Sequence, residues 1–286
     1  MPKTVISNGE SLLRREVLSV IATLRETLEL WWRNIRWITV VSLTLGIPPI
    51  LITEWDVNQL PPAGNLKHTP FAWTVLLLIF SSLALCMIAG ALSSAGILGL
   101  LKAQSSGMKS WNSIKDCVRT YTWTLLRVVM ILTFIGAIFF AIVQTIYIFL
   151  VWPFSPKRFP DTATMMGALY LIFVKYALAD PLVVIEGRGA LDALAQSWRM
   201  TRGHFWYVLG CYAFLWLAIW LVHWPFVKLE HRIIVIEFPV QLLRVWLDSL
   251  WVVIAWVMYF KIKAADEPPV LNSEGAGEAD PSTSSE

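Results

Sequence analysis

The sequence predicts an all-α protein: a polytopic membrane helical bundle of about six transmembrane helices, with amphipathic interfacial helices on the cytoplasmic side. Three observations carry this. Apolar residues make up 57% of the 286-residue chain and charged residues 15%, where globular chains run at roughly 45–50% and ~25%. Mean hydropathy is +0.61. The chain holds 16 tryptophans, a residue that collects at membrane–water interfaces.

A hydrocarbon core of ~30 Å needs about 20 helical residues, and six stretches reach that length. The first, Trp37 to Trp55, is interrupted by Pro48 and Pro49, which kink or end a helix. Residues 1–36 before it form a cytoplasmic arm, in which Val17, Ile21, Leu24, Leu28, Trp31 and Ile35 recur at steps of four and three. The second stretch, Phe71 to Leu101, is too long for one upright span and must tilt or enter the interface. Its Ala89, Gly90, Ser93, Ser94, Gly96 and Gly99 favour close helix approach. Trp111, Ile114, Val118 and Tyr121 then mark a second amphipathic helix. The third stretch is Trp123 to Trp152 and the fourth Thr162 to Val184, the latter carrying Lys175, Asp180 and Pro181. Leu191, Leu194 and Trp198 mark a third amphipathic helix, which resembles the second at a shift of 80 residues through pairs such as Gly107 with Gly187 and Arg119 with Arg199. Each amphipathic helix either lies in the cytoplasmic interface or packs on its own bundle, and both can hold. The fifth and sixth stretches are Phe205 to Val227 and Phe238 to Phe260, completing a membrane domain over 37–263. Residues 264–286 carry six acids and no Lys or Arg, are rich in Pro, Gly and Ser, and read as a disordered tail.

Charge orients the bundle. With the N-terminus inside, inner segments hold 16 Lys and Arg, including Lys102, Arg127, Arg188 and Lys261, against 6 outside. That bias places both termini in the cytoplasm. It also explains the basic excess without nucleic acid. Cys86, Cys117 and Cys211 form no CxxC pattern, so neither a disulfide nor a zinc site is indicated. The four histidines lie far apart, and phosphate-loop, dinucleotide, zincin and nucleophile-elbow motifs are absent. No catalytic residue, cofactor or metal is expected.

Ionisable residues inside spans are costly and face protein or water. Lys175, Asp180, Arg244 and Asp248 form the expected intramembrane charge network, with Arg244 and Asp248 one helical turn apart. Counting residues along two unbroken spans brings Lys175 and Asp248 to similar depth, so they are expected to pair.

The segment KYALADPLVVIEGRGALDALAQSWRMTRGHFWYVLG resembles the bacterial family named for the membrane domain of glycerophosphoryl diester phosphodiesterase, together with YciC-like inner-membrane proteins. The matching positions are Lys175, Pro181, Glu186, Gly187, Ala193, Leu194, Ser197, Trp198, Thr201 and Gly203; Lys261 departs from the acid in the family's closing motif. The soluble catalytic domain of the family's enzymes, with its His-Arg-Gly opening, is not matched: His231-Arg232 is followed by Ile233. The resemblance implies a bacterial cytoplasmic-membrane protein without chemistry of its own. The leading expectation is a helper, scaffold or component of a transport or envelope-maintenance system. A small transporter or channel using the intramembrane charges is the first alternative, and an intramembrane lipid enzyme the second. Expected partners are membrane lipids, other membrane proteins or a second copy of the chain.

Overall fold

The structure is a computed structural model; it describes residues 19–44, 69–107, 111–150, 170, 173–230 and 237–266. Among these, all regular structure is helical. The helices are α1 (Val20–Arg33), α2 (Ile35–Thr44), α3 (Thr69–Ser105), α4 (Trp111–Leu150), α5 (Ala179–Glu186), α6 (Ala190–Gly203), α7 (Phe205–Glu230) and α8 (Glu237–Asp266). The proline pair, the outer loops, the first half of the fourth predicted span and the acidic tail beyond Asp266 lie outside the described residues.

Three described segments are long and apolar enough to cross a membrane: Leu83–Ser105, Trp111–Val143 and Phe205–Val222. Their outer faces are apolar too. Met130, Phe134, Ile138 and Phe149 on α4, and Phe214 and Trp216 on α7, are exposed. A helix apolar all round belongs in a core or in lipid, and with three helices long and apolar enough to span a bilayer the chain is a membrane protein. The second amphipathic segment is no separate surface helix. With neither Gly nor Pro between Tyr121 and Trp123, it runs on as the first turns of α4.

Antiparallel α3 and α4 approach closely at Gly99, where an added Cβ would stand 2.7 Å from the Cβ of Cys117. The remaining elements gather around α8. Its segment 253–259 is buried on every side, with Val253, Ile254, Met258 and Tyr259 fully enclosed, as is Ile262 further on.

The described part of the N-terminal arm, from Ser19 on, belongs to this bundle. Asn34 only distorts the passage from α1 to α2: its N–H still bonds Leu30 O, and Ile38 N–H bonds Asn34 O. The pair lies antiparallel along α8. Glu26 meets Lys261 at 2.9 Å, Trp31 Nε1 donates to Ser249 at 2.8 Å, and Trp246 Nε1 donates to Thr39 at 2.8 Å. The buried face differs from the expected apolar stripe. Thr23, Thr27, Trp31, Asn34 and Ile38 are buried, whereas Ile21 and Leu28 are exposed. The threonine hydroxyls turn inward because they find acceptors there: Thr27 Oγ1 donates to Thr23 O, and Thr23 Oγ1 lies 2.7 Å from the Tyr207 hydroxyl.

Candidate functional site

The fourth predicted span is broken. Helix at Phe173–Lys175 gives way to turns at Tyr176–Leu178 and restarts as α5. Pro181 supplies a reason. It has no N–H to bond the Ala177 carbonyl, and its ring would clash there in a continuous helix. The chain closes the gap with tighter bonds, Tyr176 N to Phe173 O, Ala177 N to Val174 O and Ala179 N to Tyr176 O.

A helix break frees backbone N–H and C=O groups, which must find other partners where they are buried. Helix α6 satisfies them. Ser197 Oγ accepts from Leu178 N–H and lies 3.1 Å from Lys175 O, to which it can donate. Thr201 Oγ1 lies 3.0 Å from Lys175 O and 2.8 Å from Ser197 O. Both residues are fully buried, beside Ala193 and Leu194. The buried face of α6 is therefore small and polar where it meets the break. Of the three apolar residues that mark this helix only Leu194 is buried in the protein; Leu191 is 70% exposed and Trp198 44%, so packing on the bundle accounts for Leu194 and not for Trp198.

The far end of α5 is tied as firmly. Lys102 Nζ donates to Val184 O at 2.6 Å, a cation at a helix C-terminus. Gly187 ends the helix with φ +67°, in the left-handed region glycine favours. Glu186 accepts hydrogen bonds from Tyr259 Oη (2.6 Å) and Arg188 Nε, with Lys263 Nζ at 3.9 Å. Partial burial raises its carboxyl pKa, but these bonds and charges outweigh burial and hold it below the ordinary value. An added Cβ at Gly203 would meet nothing within 4 Å, so packing does not demand glycine there.

Beside the break lies a cavity of about 400 Å³ whose lining includes Ser94, Tyr170, Tyr176, Asp180, Tyr212, Asp248 and Trp251. Asp180, in the first turn of α5, accepts a hydrogen bond from Ser94. Tyr212 stacks on Trp251 with centroids 5.2 Å apart and planes at 10°. The Tyr170 hydroxyl oxygen is buried and has no hydrogen-bond partner among the described residues.

The expected charge network is thus divided. Asp180 and Asp248 share the cavity. Lys175 does not face Asp248: its ammonium sits over the rings of Phe205 (4.3 Å to the centroid) and Trp198 (5.3 Å). Depth counting assumed an unbroken helix, and the turn after Lys175 removes that assumption. Arg244 lies on α8 one turn before Asp248, and its side chain falls outside the described residues. No family model matches the chain, and no curated protein or solved structure is similar to it.

The cavity's aromatic residues escaped sequence reading. A tyrosine at helical spacing looks like an interface anchor, and only the fold shows Tyr170, Tyr176 and Tyr212 converging. Ser94 was read as a packing residue of the small-residue stripe, and Lys102 only as a cytoplasmic charge. Neither carries a local signal of its partner, which lies more than 80 positions away in the chain.

Proposed function

We propose that this chain is a non-enzymatic multi-pass protein of the bacterial cytoplasmic membrane that binds a small molecule beside its broken span. It would serve a transport or envelope-maintenance system. One observation carries the reading: an open volume of about 400 Å³ at a helix break, holding two carboxylates and a buried tyrosine hydroxyl without a hydrogen-bond partner among the described residues. Ligand pockets occupy ~300–1,000 Å³. Discontinuous membrane helices are a recurring way to present polar groups to a ligand within the bilayer. The charge bias supports six spans with both termini inside, and the motif around Glu186, Ser197 and Trp198 supports kinship with the phosphodiesterase membrane-domain family. Membrane lipids are its immediate partners.

Filling the cavity tests this. Native mass spectrometry of the protein extracted from its host membrane should reveal a bound small molecule that is depleted in Val252→Trp, since Val252 lines the cavity. The variant's thermal unfolding serves as a check on folding. An identical bound-molecule profile in wild type and a folded variant would overturn the reading.

A further inference from the structure

We infer that the cavity beside the α5 break takes an organic ammonium ion, its charge set against Asp180 and Asp248 and its apolar groups against the surrounding rings; this rests on the ligand-binding reading above. Two acids line the volume, and no basic side chain does among the described lining residues. A carboxylate within a membrane is costly unless hydrogen-bonded or opposed by positive charge. Ser94 supplies one hydrogen bond to Asp180, and a cation supplies what a neutral or anionic ligand cannot. A single ionised acid suffices, so Asp248 can keep another partner without weakening the preference.

The rest of the lining selects an organic ion over a bare metal. Among the described residues no three His, Cys, Asp or Glu side chains gather as metal ligands, whereas Ca²⁺ takes about six to eight oxygens. Tyr170, Tyr176, Tyr212 and Trp251 instead offer aromatic surface. Such surface attracts alkylammonium groups through the ring quadrupole. The stacked Tyr212 and Trp251 form a preordered wall. The same chemistry operates a few residues away, where Lys175 rests over Phe205 and Trp198. The Tyr170 hydroxyl, without a partner among the described residues, offers a hydrogen bond to a ligand oxygen. An ammonium bearing an oxygen is found both in lipid headgroups and in free amino alcohols.

The test compares ligands of one shape and three charges. Binding of choline, its uncharged dimethylbutanol isostere and the anionic dimethylbutanoate is measured by native mass spectrometry. The protein is full length, in nanodiscs of phosphatidylglycerol. Choline should bind at least about tenfold more tightly than the alcohol, and the anion should not bind; removing a desolvated cation–π or ion-pair contact is worth about tenfold. Asp180→Asn should weaken choline by about tenfold with little effect on the alcohol, and Asp248→Asn provides a second carboxylate variant should the first misfold. Alcohol and choline binding equally would overturn the ammonium and leave a ligand cavity standing. No binding by any probe, with native bound molecules unchanged in Val252→Trp, would overturn both. Adding phosphatidylethanolamine to the discs separates the two sources. Competition with choline assigns the ammonium to a lipid headgroup and its absence to a free amine; either result upholds the class.

Discussion

Replacing Ser197 by Ala together with Thr201 by Val is expected to lower stability by about 4 kcal/mol. The two hydroxyls serve the Lys175 carbonyl and the Leu178 N–H, which the helix break leaves without intrahelical partners. Stranding a buried backbone group costs ~1–3 kcal/mol, and Ser197 and Thr201 are fully buried, where no solvent takes the place of the lost hydroxyl. Thr201→Ser keeps a hydroxyl at the same position and should recover most of that residue's share. Arg199→Ala, two residues from each on the exposed face of α6, should change stability by less than about 0.5 kcal/mol. Unfolding in mixed micelles measures all of them. A double variant as stable as Arg199→Ala would mean that α6 does not hold the break.

Trp31→Ala is expected to cost about 3–5 kcal/mol, the range for truncating a buried large aromatic residue. Trp31 is 6% exposed, its ring centroid lies 4.4 Å from that of Trp246, and its Nε1 donates to Ser249. Trp31→Phe keeps most of the packing and loses the hydrogen bond, so it should fall between. The neighbouring Trp32 is 69% exposed, and Trp32→Ala should cost less than about 1 kcal/mol. Equal costs at the two positions would show that α1 lies on the surface and is not packed along α8.

These two sites also mark where sequence reading succeeded and where it stopped. The helical membrane class was legible from a 57% apolar composition together with apolar stretches of about 20 residues or more, the length a helix needs to span a bilayer. The amphipathic periods located α1 and α6, but the face that each packs on the protein is not its whole apolar stripe. The rule that apolar means buried assumes water outside. Where the outside is lipid or its interface, Ile21, Leu28, Leu191 and Trp198 can face outward. Threonine and serine then turn inward, where backbone carbonyls await them. The acids within the predicted spans, Asp180 and Asp248, were legible one by one as costly residues. Their grouping was not, since the break at Tyr176–Leu178 arises from Pro181 acting together with an α6 face that sequence spacing cannot place against it. The same break redirects Lys175 away from Asp248 and toward Phe205.

Cysteine accessibility tests most directly whether the broken span opens a cavity inside the membrane domain. In a background with Cys86, Cys117 and Cys211 replaced by Ala, Val252→Cys would place a thiol on the cavity lining, and Ile254→Cys would place one where the native side chain is fully enclosed. The reagent is the small cation aminoethyl methanethiosulfonate, and the readout is the rate of modification in nanodiscs. The predicted result is modification of Val252→Cys, slowed by choline, with Ile254→Cys unreactive. A Val252→Cys thiol as inert as Ile254→Cys would contradict a ligand-accessible cavity beside the break.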